Sequence, residues 1–386
     1  MNPLRVAHVH GGRRMCGVAR RILTGMRFMD RAVVDARLLL LRGGAVADQA
    51  RAYNLPFHVC GPRFPGDLGA VFRMAHWLKR SGIDVLHTHT INGNFYGRVA
   101  ARLVPRVTLV STVHTFIDQA MRDTYPIPVV RAGVARQNAL TGRWVRLFIA
   151  TCRELEEELR ASVHPSAGIR LIYNGLDMAE YPRPDSSERA RARAAFGIPE
   201  GIPCIGAVGR LVGIKQIPLL LEAVATIQGK VGECWLLVAG DGPERQALEC
   251  LAGELGLADR VVFAGWVDRV RDAYCAMDIY AMPSASETLS YSTMEAMAMG
   301  VVPVVFATGG LPDLVVPETG ILVEAGNRAA FAEALGHLIA DGALRKRMGA
   351  AGRVRIETHF EARRMAAELT AAYRSVTNRT VPCAGD

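Results

Sequence analysis

Glu287 and Glu295 lie eight residues apart in Pro283-Ser-Ala-Ser-Glu-Thr-Leu-Ser-Tyr-Ser-Thr-Met-Glu-Ala-Met-Ala-Met-Gly300. A short apolar strand over residues 278–282 ends at Pro283, a Ser-rich loop follows, and a helix is predicted to begin near Ser292. Glu287 then sits in the loop before a helix N-terminus and Glu295 about one turn inside the helix. The first helical N–H groups lack internal partners and carry about half a positive charge, which suits a phosphate. Carboxylates accept hydrogen bonds from sugar hydroxyls. A ligand that joins hydroxyl-rich groups through a diphosphate, a nucleotide sugar, fits that combination. The same spacing recurs at Glu180 and Glu188, in a Pro- and Arg-rich segment with no strand or helix start around it, and there it reads as solvated surface.

A second set follows the first strand expected in the C-terminal half. In Ala207-Val-Gly209-Arg210-Leu-Val-Gly-Ile-Lys215 the strand end presents Arg210, and a Gly-containing loop brings Lys215 back to the same place. Two cations there would neutralise a diphosphate leaving group; the alternative is a surface Arg and Lys in a turn. No Asp-x-Asp occurs in the chain, so the usual carboxylate clamp for a divalent metal on such a substrate is missing. The P-loop signature and His-Glu-x-x-His are also missing. In the N-terminal half Thr112-Val-His114-Thr115 closes a strand, and His87 and His89 close the preceding one. A metal site from His87, His89 and His114 lacks a suitably spaced carboxylate. Gly11-Gly12 and Gly17 follow the first strand and admit close approach of backbone to a ligand. Gly240-Asp-Gly-Pro-Glu-Arg245 and Asn174-Gly-Leu-Asp177 read as structural turns. Gly309-Gly310 is a strand-end loop whose N–H groups either meet a substrate or simply turn the chain.

Parallel sheets position such residues. Apolar runs at 5–10, 36–41, 84–87, 108–114, 147–151 and 170–173, then at 204–208, 234–239, 260–263, 279–282 and 302–306, alternate with helical patterns such as 17–28, 152–162, 217–227 and 243–255. Strand–helix alternation argues for doubly wound α/β domains with ligands at the C-terminal strand ends. It occurs twice, around a Pro-, Arg- and Ser-rich stretch read as a linker. The expected organisation is 1–180, a linker at 181–203, 204–360, and a C-terminal helix and tail at 361–386 that packs back on the first domain, with residues 378–386 frayed. The two Rossmann-like domains are expected to face a central cleft.

At 386 residues the chain suits two domains, and 50% apolar with 22% charged residues is a globular composition. No apolar run approaches the ~18 residues of a membrane span. The opening residues read as a first strand, and eight scattered cysteines without Cys-x-x-Cys read as free thiols of a reducing cytosol. Of the net charge of +9, residues 1–180 carry 25 Lys/Arg against 13 Asp/Glu, and residues 181–386 carry 21 against 24. That asymmetry fits either solvated arginines or a first half that meets anionic lipid or an anionic acceptor. No basic–aromatic pattern or zinc-finger spacing points to nucleic acid.

In this order the elements resemble the family-4 retaining glycosyltransferases of GT-B fold: a Gly-rich first loop, His114, Asn174-Gly-Leu-Asp177, Gly209-Arg210…Lys215, Gly240…Arg245, and Glu287…Glu295-Ala-Met-Ala-x-Gly300. The resemblance runs along nearly the whole chain. It implies that Arg210 and Lys215 hold the donor diphosphate, Glu295 the ribose hydroxyls and Glu287 the donor sugar, with His114 contacting the sugar from the acceptor-binding first domain. Gly17, Gly209, Leu289, Ser290 and Tyr291 complete the implied donor site. The implied reaction is metal-independent and keeps the anomeric configuration, with the departing phosphate oxygen as base and no cofactor. The implied partners are a nucleoside-diphosphate sugar and a glycan or lipid-linked acceptor, as in surface polysaccharide or glycolipid synthesis at the inner membrane face. Three positions depart from the family pattern. Thr288-Leu289-Ser290 stands for Gly-Phe-Gly, Gln216 for the Gly after the Lys, and Cys16-Gly17 for a Gly pair. A nucleotide-sugar epimerase, a phosphorylase and a non-catalytic binding subunit are the alternatives on this architecture.

Overall fold

The computed structural model of the chain describes residues 2–377 except 12, 14, 65–66, 117–126 and 229. It divides into two compact units, Met1–Gly175 with Ala362–Asp386, and Leu176–Glu361. The tail expected to fray lies outside the described residues.

The first unit holds β1 (Leu4–His10), β2 (Val34–Leu40), β3 (Phe57–Val59), β4 (Val85–Thr88), β5 (Thr108–Thr112), β6 (Leu147–Ala150) and β7 (Gly168–Leu171). They form one parallel sheet in the order β3-β2-β1-β4-β5-β6-β7. Parallel neighbours need crossovers, and helices in the crossovers cover both faces, so the strands read as near-continuous apolar runs. One face packs Val6, Val85, Val110 and Ile149 against Met365, Leu369 and Tyr373 of the helix Ala362–Val376. Gly175 lies against the start of that helix, where a Cβ would come within 2.7 Å of the Ala362 Cα. Only glycine fits there. The register sets His8 of β1 beside His87 of β4, which becomes important below.

The second unit holds β8 (Cys204–Val208), β9 (Trp235–Ala239), β10 (Val261–Gly265), β11 (Ile279–Met282), β12 (Val302–Phe306) and β13 (Ile321–Val323), parallel in the order β10-β9-β8-β11-β12-β13. Both units are therefore Rossmann-like, α/β and doubly wound, as expected. The edge strands β3 and β13 were not foreseen; each has three residues, too few to show a pattern.

The stretch 181–203 is not a linker. It carries the helix Ser186–Ala195, closed by a capping box in which Asp185 accepts from the Glu188 N–H and Glu188 accepts from the Asp185 N–H. Arg193, 4% exposed, donates to Asp278 and to the carbonyls of Pro199, Ile202 and Ala276, and Arg189 also donates to Asp278. Two arginines, together with the buried Tyr181, Ala192 and Ile198, fasten the segment to the second unit. Glu188 is not mere solvated surface either: besides capping, it pairs with Arg271.

Candidate functional site

In the second unit, β8 is followed by Gly209, whose φ of 153° favours glycine. The opposite turn brings Gly240 so close that a Cβ would sit 1.8 Å from the Gly209 carbonyl oxygen. These two glycines let the strand-end loops touch, and Arg210 follows, exposed and without an ion pair among the described residues. Lys215 closes a single 3-10 turn, Gly213–Lys215. Gln216 then takes φ 50°, ψ 40°, a left-handed conformation that costs a side-chain-bearing residue about 1 kcal/mol or more. That explains why glycine suits the position after the lysine.

Lys215 donates through Nζ to Glu287 Oε1, the pair being 19% and 13% exposed. Ser284 Oγ donates to the same oxygen at 3.2 Å. Backbone bonds fix the loops that carry the pair: Ala285 N–H to Ile214 O at 2.8 Å, and Gly310 N–H to Thr288 O at 2.8 Å. The Gly309-Gly310 loop thus steadies the Glu287 loop, a role invisible in the sequence. Leu289 is buried, and Ser290 caps the helix Tyr291–Ala298 by accepting from the Thr293 N–H. The departure from Gly-Phe-Gly therefore supplies a core residue and a helix cap, and Leu289 has no exposed side chain to offer a ligand. Tyr291 is the first residue of that helix and half-buried.

Glu295 is 3% exposed, and its two oxygens accept from Tyr181 at 3.1 Å and Tyr274 at 2.7 Å. Burial and the Glu295 charge hold the Tyr274 phenol well above its usual range, so it remains a donor. Neither tyrosine was foreseen. They lie 114 and 21 residues from Glu295 in sequence, and no spacing rule connects them.

In the first unit the histidines converge. His8 Nδ1 lies 3.0 Å from His89 Nε2, and His89 Nδ1 lies 3.1 Å from His114 Nε2. His87 bonds Tyr373 Oη and Thr112 Oγ1, both at 2.7 Å. Ring nitrogens of His8, His87 and His89 fall within 4.8 Å of one another. Those nitrogens bond each other, Tyr373 and Thr112. Burial, then the Arg21 charge, takes His8 from 6.5 to about 3. His87, His89 and His114 are lowered for the same first reason. Gly17 opens the helix Gly17–Phe28, which has no side-chain cap and no acid in its first turn.

These histidines carry a pH prediction. Unfolding lets each ring titrate near 6.5, whereas the folded ring resists protonation. Their stabilising contribution is therefore complete above about 6.5 and is lost as pH falls below it, each ring adding up to about 1.4 kcal/mol per pH unit. The urea midpoint of the first unit is expected to fall steadily from pH 7 to pH 5, and less steeply in His8→Phe. A midpoint flat over that range would contradict the burial of neutral rings.

His10, His89 and His114 also line a cavity of about 920 Å³ within the first unit.

The Glycosyltransferase Family 4 profile matches residues 15–180 and the Glycosyl transferases group 1 profile residues 188–355. The chain is 30% identical over 331 residues to the D-inositol 3-phosphate glycosyltransferase of Xylanimonas cellulosilytica, covering 82% of this chain and 78% of that one. It is 35% identical over 287 residues to the 2-deoxystreptamine N-acetyl-D-glucosaminyltransferase of Streptomyces fradiae, covering 71% and 67%. Its fold is similar to that of Anabaena HepE, crystallised with UDP, at a TM-score of 0.83 and 20% identity over 96% of this chain and 100% of that one. The chain belongs to the family-4, group 1 glycosyltransferases, and it is a glycosyltransferase of GT-B fold.

Proposed function

We propose that the protein is a retaining, metal-independent transferase. It would move a sugar from a nucleoside-diphosphate sugar to a hydroxyl of a glycan or lipid-linked acceptor, in surface polysaccharide or glycolipid synthesis. The carrying observation is the fixed Lys215–Glu287 pair, with the exposed Arg210 following Gly209 at the end of β8. In the proposed reaction the bond from the anomeric carbon to the phosphate oxygen breaks, and negative charge grows on the diphosphate. Arg210 and Lys215 offset that charge, so the step draws on no metal ion. The departing phosphate oxygen takes the acceptor hydroxyl proton, and the acceptor oxygen bonds the anomeric carbon on the same face. Glu287 aims Lys215 and accepts from donor-sugar hydroxyls; Glu295, held by Tyr181 and Tyr274, accepts from the ribose. His114, kept neutral, contacts the sugar, and the bare start of the helix at Gly17 suits a phosphate. HepE has been crystallised with UDP-glucose, which makes a UDP-linked hexose the first donor to try. Proton NMR of the nascent product should show the donor's anomeric configuration; the opposite configuration would refute retention.

Contact with an anionic membrane belongs to the same reading. The helix Pro128–Gly142 and its flanks expose Ile127, Val129, Val130, Leu140 and Trp144, and residues 127–146 carry four arginines and no acid. No helix among the described residues is long and apolar enough to cross a membrane. Sedimentation with phosphatidylglycerol liposomes is expected at low salt, with release as salt shortens the Debye length below about 5 Å. Equal binding to neutral liposomes would rule out the electrostatic contact.

A further inference from the structure

The cavity of about 920 Å³ in the first unit has a one-sided chemistry. Its described lining includes three arginines, Arg13, Arg98 and Arg143, and four histidines, but no carboxylate. Much of the rest is apolar, with Phe148, Leu159 and Val163 among it.

Arg98 is the unusual member. It projects from the helix Ile91–Arg102 and is 1% exposed. Its Nε and Nη2 donate to Ser111 Oγ at 3.3 and 3.1 Å. Nη1 donates to Asn138 O at 3.2 Å, Asn138 Oδ1 at 3.0 Å and Thr141 Oγ1 at 3.4 Å. The guanidinium also lies 5.8 Å from the Phe148 ring centroid. Every one of these partners is neutral, and Arg98 makes no ion pair among the described residues. Its hydrogen bonds are satisfied while its charge is not. An uncompensated buried charge costs several kcal/mol even after relaxation. Burial accordingly draws the guanidinium down from 12.5 to about 10. Burial lowers His89 and His114, and an imidazole supplies no negative charge in either form.

We propose that the cavity takes the acceptor by an anionic group, a phosphate or a carboxylate, which Arg98 holds while Phe148, Leu159 and Val163 receive an apolar remainder. The inference deepens the glycosyl-transfer reading and rests on it for the identity of the occupant as the acceptor. A bound anion would restore the absent counter-charge, and a charge-assisted bond to a guanidinium is stronger than the neutral ones Arg98 now makes.

The probes are hexyl phosphate, inorganic phosphate and 1-hexanol, titrated calorimetrically into the full-length protein at neutral pH and physiological salt. Hexyl phosphate is expected to bind one to one and 1-hexanol at least about tenfold more weakly, the worth of a hydrogen bond to a charged group. Arg98→Gln should weaken hexyl phosphate by about tenfold or more on the same basis. Because that substitution touches a buried residue, Ala139→Trp serves as the second variant. Ala139 is an exposed residue of the cavity wall, and the indole should block entry with Arg98 intact. Tighter hexyl phosphate would support both the anion site and the apolar remainder, whereas inorganic phosphate binding as tightly would keep the anion site and overturn the apolar part. Either result supports the anion site. Equal binding of 1-hexanol, no binding of either anion, or hexyl phosphate binding unchanged in both variants would overturn it. A protein that turns over a nucleotide sugar yet fails this titration would lose the anion site and keep the transferase reading. Anion binding without turnover of any donor would do the reverse.

Discussion

Lys215→Met is expected to lower kcat by about two to three orders of magnitude, the loss typical when one preorganised electrostatic stabiliser is removed from a developing charge. The ammonium lies against Glu287, so its position is set before substrate arrives and little reorganisation is needed as the diphosphate departs. Methionine keeps most of the apolar stem and removes the ammonium with its bond to Glu287. KM should change much less than kcat, because the interaction strengthens mainly in the transition state. Arg210→Met should act in the same sense. The double variant should lose less than the product of the two single losses, since both cations serve one leaving group. Steady-state kinetics on a nucleotide-sugar donor decides it: a rise in KM with kcat intact would make Lys215 a ground-state binding residue.

Glu295→Ala is expected to cost stability as well as activity. The carboxylate accepts from two buried tyrosines, and deleting it strands both hydroxyls at about 1–3 kcal/mol each. For a unit of this size that is a drop in Tm of roughly 4 to 24 °C. Glu295→Gln keeps the shape and one acceptor oxygen, so it should lose about half as much stability. Calorimetry of the two variants separates the roles. If Glu295→Ala melts with the wild type, the tyrosines do not depend on the carboxylate. If both variants are inactive while Glu295→Gln remains well folded, the carboxylate acts on the ligand and not only on its neighbours.

Much of this was legible in sequence because parallel strands are buried on both faces and leave unbroken apolar runs. Leu4–His10, Cys204–Val208 and Ile279–Met282 all show it, and the residues after such runs fall at strand ends where ligands bind. Arg210, Lys215 and Glu287 could each be placed after a strand end on that ground. What could not be read is whatever depends on strand order or on distant partners. His8 meets His89 only because β1 lies beside β4, and Tyr373 reaches His87 from 286 residues away. The helix Ser186–Ala195 was hidden by its polarity, since arginine bonds to carbonyls replace the apolar stripe that marks most helices. Its capping box, Asp185 with Glu188, was the available signal and should outweigh nearby prolines. The charge excess of the first half was visible as a number. That three of its arginines line one cavity, one of them buried with only neutral partners, required the fold.

The departure at Thr288-Leu289-Ser290 motivates the reading as a non-catalytic subunit. A buried Leu289 and a capping Ser290 are instead the features of a well-formed helix start beside an intact Lys215–Glu287 pair. An epimerase would interconvert donors without acceptor, and a phosphorylase would require phosphate.

The most direct test is release of nucleoside diphosphate from UDP-, GDP- and ADP-linked hexoses with excess EDTA, comparing wild type with Lys215→Met. Release from one donor class, undiminished by EDTA and reduced at least about 100-fold in the variant, is the predicted result. Release that EDTA abolishes, or that Lys215→Met leaves unchanged, would contradict a leaving group stabilised by the protein's own cations.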